Sequence, residues 1–303
     1  LRSRGLGDVY KIQVNFNVNG LGDGARAITL EYQTASTGDL NVTLDGDMIN
    51  LVQVESFNLA GDSNNDDTVS VIGTAVADDF SVTPTANGAT VLHDGGVTGG
   101  GDGPDISISG VSQSGLTING AGNSNDGLTY NGSGATVNVT GPFAGTITQP
   151  GVADVNFASI EDLATSQAAA YIVDAQGDAD DTSADDFLVE LNGSGIVEVS
   201  VNGSLLLLED PNNINGLFIN GSSDDDTLTV DFSNGDPIPT DLLFNGSTGT
   251  DDLVSIGGTS GVYTPSASIP GNGVLTIDGS AITFTGLEPV SYTHLTLPTR
   301  CLG

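Results

Sequence analysis

The residues that could do chemistry in this chain are its paired and tripled aspartates. Asp66-Asp67, Asp78-Asp79, Asp180-Asp181, Asp185-Asp186, Asp224–Asp226 and Asp251-Asp252 stand at or near the start of short runs of alternating apolar residues. Two carboxylates flanking one bond can hydrolyse a glycoside; carboxylates gathered as oxygen donors can hold a hard cation such as Ca²⁺. Neighbours on a strand or turn point apart, so a pair within one turn does not flank a bond. If equivalent turns stack, like carboxylates come to lie about 4.8 Å apart. There they repel by roughly 0.9 kcal/mol even in bulk water, well inside the ~8 Å Debye length at physiological salt. Either the carboxylates splay into solvent or a cation sits between them. Asp224, Asp226, Asp251, Asp252, Asp66 and Asp67 are therefore the candidate Ca²⁺ ligands, with plain solvated turns as the alternative.

Other groups offer less. His93 is the one histidine between residues 14 and 290 and has no second His, Cys or Ser–Asp arrangement in the sequence, which predicts a surface or turn histidine. The Gly99–Gly103 loop lacks the Lys-Ser/Thr and helix of a phosphate cradle. Asn-x-Ser/Thr sites such as Asn192, Asn202, Asn220 and Asn245 read as turns. No catalytic residue and no organic cofactor site is expected.

The elements that position the aspartates repeat. Gly216–Ser222 leads through Asp224–Asp226 into Thr227–Val230, and twenty-five residues on Leu242–Ser247 leads through Asp251-Asp252 into Leu253–Ile256. Asn220 matches Asn245, Gly221 matches Gly246, Asp226 matches Asp251 and Leu228 matches Leu253. Alternation of apolar and polar residues is the signal of a strand with one buried face. A unit this short must stack on a neighbour to bury that face. A longer repeat frames the short one: Ile49-x-Leu51-x-x-Val54-Glu55-x-Phe57 recurs 106 residues later ending in Ile160-Glu161-x-Leu163, and again after 127 ending in Leu287-Glu288-x-Val290. This divides the chain into the end of one unit (14–57) and two whole units (58–163 and 164–290). Ala77–Val82 and Ala184–Val189 form a third matching pair. Asp45-Gly46 and Asp278-Gly279, between alternating runs, predict hairpins, and the eleven Asn-Gly steps predict further turns. The only helix expected is a turn or two after Asp162, within Ser159–Ala170. The fold class is all-β: a parallel β-helix with projecting hairpins, or alternatively tandem β-sandwich domains.

Charge narrows the partners. The 303 residues carry a formal net charge of −34, and residues 14–290 hold 38 of the 39 acidic residues but only Arg26 of the five basic ones. Nucleic acid and anionic membrane surfaces are excluded, because nothing neutralises phosphate. No apolar run nears the ~18 residues of a membrane span; the longest, Leu205–Leu208, is a buried-strand signal. The ends differ in composition. Ser3–Lys11 and Val290–Thr299 resemble translated sequencing-adapter read-through, so residues 1–13 and 291–303 are set aside from the fold.

Gly246-Ser-Thr-Gly-Thr-Asp251-Asp-Leu253-Val is similar to the calcium-binding nonapeptide of repeats-in-toxin proteins, although Ser247 replaces a glycine, Asp224 replaces another in the preceding copy, and the copies are not consecutive. The runs Asp226–Pro239 and Ile282–Pro289 resemble the acidic Gly/Asn/Asp-rich repeats of large secreted or surface proteins of aquatic bacteria. That resemblance implies an extracellular or cell-surface, structural or adhesive segment without a reaction, possible Ca²⁺ stabilisation, and polysaccharide or neighbouring repeats as partners. The alternative is a fragment of a carbohydrate-active β-helix enzyme, a lyase or glycosidase. For the Arg/Lys base of such lyases residues 14–290 offer only Arg26, near their start, and the Gly-His-Gly and Arg-x-Lys motifs of pectin-degrading hydrolases are missing from them.

Overall fold

Period-2 alternation becomes strand throughout the computed structural model, which describes residues 12–18, 25–33, 39–61, 67–93, 104–122, 125–175, 183–238 and 240–288. The adapter-like ends beyond these limits, Asp66, Asp180, Asp181 and the Gly99–Gly103 loop lie outside the described residues. The chain runs through β1 (Ile12–Asn17), β2 (Ala27–Tyr32), β3 (Leu40–Leu44), β4 (Asp47–Leu51), β5 (Val54–Ala60), β6 (Thr68–Ile72), β7 (Asp79–Thr85), β8 (Gly88–His93) and β9 (Asp105–Ser109). It continues with β10 (Leu116–Asn119), β11 (Gly127–Tyr130), β12 (Thr136–Gly141), β13 (Ala144–Thr148), β14 (Val155–Ala158), β15 (Asp162–Thr165), β16 (Ala169–Asp174), β17 (Asp186–Leu191) and β18 (Val197–Val201). It ends with β19 (Ser204–Glu209), β20 (Ile214–Asn220), β21 (Thr227–Asp231), β22 (Leu242–Asn245), β23 (Asp252–Ile256), β24 (Gly261–Pro265), β25 (Gly273–Ile277) and β26 (Ser280–Thr285). Among the described residues the only helical turn is 3-10, at Pro211–Asn213.

The strands form three mixed sheets. One of 14 strands runs β24-β25-β26-β22-β20-β16-β12-β13-β14-β10-β6-β2-β3-β4; one of seven runs β1-β5-β9-β8-β7-β11-β15; one of five runs β19-β18-β17-β21-β23. Where consecutive strands change sheet, the neighbours they find are parallel and come from successive repeats, as in β20-β22 and β21-β23; hairpins such as β2-β3-β4 and β17-β18-β19 add the antiparallel neighbours. Leu228 pairs with Leu253 between β21 and β23, and Asn220 with Asn245 between β20 and β22. The twenty-five-residue sequence match is therefore a structural register.

One continuous core lies between the large sheet and the two smaller ones. Tyr32 of β2 stacks on His93 of β8 with ring centres 4.0 Å apart, and Phe187 of β17 meets Phe244 of β22 at 6.3 Å. The strands place Val69 and Val71, Leu228 and Val230, or Tyr171 and Val173 inward and their alternate residues outward.

One sequence expectation about the elements needs correction. Ser159–Ala170 carries no helix: Asp162–Thr165 is β15 and β16 begins at Ala169, because parallel ladders to β11 and β12 and burial of Leu163, Thr165, Ala169 and Tyr171 at alternate positions override alanine's helix preference. The Asp-Gly hairpins do form, with Asp45 at φ 49° and Asp278 at φ 52°. They extend the large sheet at its two ends, where β4 and β24 are exposed along nearly their whole length.

Candidate functional site: the acidic corners

The corners by which the chain leaves the large sheet for a smaller one hold the aspartates. Asp78, Asp126, Asp185, Asp226 and Asp251 each sit immediately before β7, β11, β17, β21 and β23, and each is at most 2 % exposed. They form two ladders. In the first, the Asp78 N–H donates to Asp126 Oδ1 at 2.9 Å and the Asp126 N–H to Glu161 Oε2 at 2.8 Å. In the second, the N–H groups of Asp185, Asp226 and Asp251 donate in turn to Asp226 Oδ1, Asp251 Oδ1 and Glu288 Oε2 at 2.8, 2.9 and 2.6 Å. Each carboxylate after the first accepts an N–H from the preceding rung, and each aspartate's own N–H serves the next. Charge-assisted bonds of this kind are about twice as strong as neutral ones.

In Asp226 and Asp78 the second carboxylate oxygen turns back into its own corner. Asp226 Oδ2 accepts from Ser222 N at 2.5 Å, and Asp78 Oδ2 from Thr74 N at 2.6 Å. It occupies the space a β-carbon would fill on a glycine five or six residues earlier. A β-carbon on Gly221 would lie 2.6 Å from Asp226 Oδ2, and one on Gly246 would lie 2.7 Å from Asp251 Cβ and Cγ. Gly221, Gly246 and Gly120 do not have positive φ, so the Asn-Gly steps there are not the turns expected from sequence; their glycines make room for a carboxylate. Asn202-Gly203, with φ values of 52° and 75° between β18 and β19, is such a turn.

Each ladder also has a capped beginning. The first carboxylate has no preceding rung, and an antiparallel strand supplies a side chain instead. Asp78 Oδ1 lies 2.6 Å from His93 Nε2, and Asp185 Oδ1 accepts from Asn202 Nδ2 at 2.5 Å. His93 is thus 4 % exposed, packed against Tyr32 and Phe80, and not the surface histidine that the sequence suggested. A buried aspartate that needs a partner, and two aromatic rings to stack on, draw it inward.

Of the candidate ligands, the structure brings Asp226 and Asp251 into one ladder. Asp224 lies half-buried in the same corner, and Asp252 is exposed at the start of β23. Asp67 occupies the opposite corner, between β5 and β6, where its Oδ1 accepts from Arg26 N at 3.1 Å. Asp66 lies outside the described residues. Among the described residues no three His, Cys, Asp or Glu side chains converge as a metal site. The five ladder aspartates are buried, and Asp126, Asp226 and Asp251 each accept a peptide N–H from the preceding rung. Crowding persists even so. Burial first, then the charges of Asp226, Glu288 and Asp225, push the Asp251 carboxyl up to about 6, against the lowering effect of the Asp226 N–H.

A groove of about 470 Å³ runs where β15 adjoins β19, lined by Asp79, Glu161, Asp162, Ile196, Leu208 and Glu209 among others. Glu209 is buried, and burial raises its carboxyl above the ordinary value despite bonds from Tyr171 and Asn213. Tyr171 Oη donates to Glu209 Oε2 at 2.5 Å, and Asn213 Nδ2 and Asp210 N donate to Oε1.

Sequence reasoning found the glutamate positions through their common offsets but not their role in ending the ladders. It missed the capping role of His93 and Asn202, which antiparallel pairing alone brings to Asp78 and Asp185. No family model, curated protein or solved structure matches the chain. Among the described residues no helix is long and apolar enough to cross a membrane.

Proposed function

We propose that this chain is a non-catalytic structural or adhesive repeat segment of a large bacterial secreted or cell-surface protein. Within the all-β class, its form is a parallel β-helix in which each coil contributes one strand to each face. The in-register parallel pairing of the twenty-five-residue repeats favours this over tandem sandwiches. The observation that carries the reading is the ladder itself: Asp226 and Asp251, the matched aspartates of the twenty-five-residue repeat, are buried and accept backbone N–H groups. Groups used in this way hold corners together, and they leave the solvent-facing acidic residues as a highly charged, soluble exterior. Neighbouring repeats and extracellular polysaccharide are the partners such a segment serves.

The test is a turnover assay on pectin, alginate and neutral glycans, run beside thermal unfolding. No substrate should be consumed, and Asp226→Ala should lower stability by about 1–3 kcal/mol by orphaning the Asp185 N–H. Asp226→Asn, which keeps an acceptor oxygen, should recover much of that loss. A carbohydrate-active reading has one observation in its favour, the groove holding Glu209 and Asp162. Turnover abolished by Glu209→Gln at unchanged stability would establish it instead.

A further inference from the structure

The glutamate motif occurs three times, and at two of them its strand has a neighbour on each side. β14 pairs antiparallel with β13 and parallel with β10; β26 pairs antiparallel with β25 and parallel with β22. The third, β4, pairs with β3 and is the outermost strand of the large sheet among the described residues. Equivalent positions differ accordingly. Val155 and Ile282 are 0 % exposed, whereas Ile49 is 48 % exposed, and Met48 and Val52 beside it are more exposed still. Edge strands of soluble proteins are usually blunted by Lys, Pro or a bulge. β4 has none of these.

Its corner is nonetheless already shaped like the occupied ones. Gln53, Ser159 and Gly286 stand at the same repeat position, with φ values of 55°, 54° and 79°. At the occupied edges the incoming strand adds two features. Its alternate apolar residues sit on the motif's apolar pair: Leu116 on Val155 and Ile118 on Phe157, or Leu242 on Ile282 and Phe244 on Phe284. Its glycine then donates its N–H to the last residue of the motif strand, Gly120 to Ala158 O at 3.1 Å and Gly246 to Thr285 O at 2.9 Å. Val52 holds that position beside β4. A β-carbon on Gly120 would collide with the Ser159 carbonyl, whose counterpart is that of Gln53.

We infer that the outer edge of β4, from Ile49 to Gln53, is a docking site for a parallel strand of the chain's own repeat type, apolar-x-apolar-Asn-Gly. The incoming apolar residues cover Ile49 and Leu51, the glycine N–H bonds to the Val52 carbonyl, and the absence of a side chain on that glycine is the specificity element. This is strand addition with a steric check. It rests on the repeat-segment reading and makes neighbouring repeats of like sequence the partner at this edge.

The probe is a synthetic peptide of residues 114–122, carrying the β10 strand and Gly120, titrated into the full chain and followed through backbone amide signals. Saturable shifts should be confined to residues 48–53 and their neighbours on β3. Ile49→Asp in the protein, at a site already exposed, should weaken binding at least tenfold, and so should Gly120→Ala in the peptide. Equal binding of the two peptides, shifts mapping elsewhere, or none at millimolar peptide would overturn the assignment. So would concentration-dependent dimers that Ile49→Asp abolishes without peptide binding, which would give the edge to a second copy. None of these outcomes bears on turnover or ladder stability, so the docking site and the structural role fail separately.

Discussion

At the residue scale the ladder links two residue types that the sequence presents as unrelated: a glycine and the aspartate that follows five or six positions later. The glycine is selected by volume rather than by φ. Gly246→Ala should therefore cost about 1–3 kcal/mol, as overpacking a filled site does. Gly193→Ala, also after an asparagine but with open space where its β-carbon would go, should be close to neutral. Chemical denaturation of the two variants checks this, and equal effects would remove the carboxylate as the reason for the glycine. Asp251 makes the second case. Its folded-state pKa of about 6 lies above the unfolded value near 4. Between those limits the native state binds more proton than the unfolded one, so the contribution of Asp251 to stability is highest below pH 4, falls as pH rises to 6 and is flat above. Asp251→Asn keeps an oxygen for the Asp226 N–H and cannot ionise. It should flatten the stability profile between pH 4 and 6 and be neutral or stabilising at pH 7. An unchanged slope would mean that Asp251 is not the titrating group.

At the scale of elements, what was legible in the sequence was whatever depends on local period. Strands with one buried face, the twenty-five-residue register and both Asp-Gly hairpins follow from alternation and turn chemistry, and all are present. What was not legible depends on which strands become neighbours. The stretch after Asp162 has good helix formers, and only parallel partners on either side decide that it is strand. Glu161 and Glu288 were visible as a repeat, but their purpose requires knowing that each lies one rung beyond an aspartate. His93 and Asp78 are joined by antiparallel pairing of Phe80 with His93, a register that one sequence cannot specify. The acidic turns stand out in the sequence as its concentrated feature. Their burial was hidden, because composition predicts that charge stays in water and says nothing of backbone donors arriving from the adjacent parallel strand's corner.

For the molecule as a whole, the ladders settle local hydrogen bonding but leave the global charge in place. A formal net charge of −34 is spread over two faces with Arg26 as the only basic residue among the described positions, where it meets Asp45 at 3.2 Å. The exposed carboxylates repel one another across distances comparable to the ~8 Å screening length of physiological salt. Folding brings them closer than they are in the unfolded chain, so self-repulsion opposes the compact state. Monovalent salt should raise the melting temperature gradually, without a plateau at millimolar concentration. A bound cation acts otherwise: occupancy stabilises by RT ln(1 + [L]/Kd), about 2.7 kcal/mol at a hundredfold excess, with a saturating approach. The measurement is thermal unfolding in NaCl, MgCl₂ and CaCl₂ at matched ionic strength, repeated on Asp224→Asn and Asp252→Asn. Those two carboxylates lie at the ladder's acidic corners but outside its chain of N–H bonds. With Asp226 and Asp251 held by backbone N–H groups, the expected result is similar shifts in all three salts and in both variants. A calcium increment that saturates, exceeds that of magnesium and disappears in either variant would instead make the corners cation sites. The repulsion across the faces would then be relieved by bound Ca²⁺ rather than by the ionic atmosphere alone.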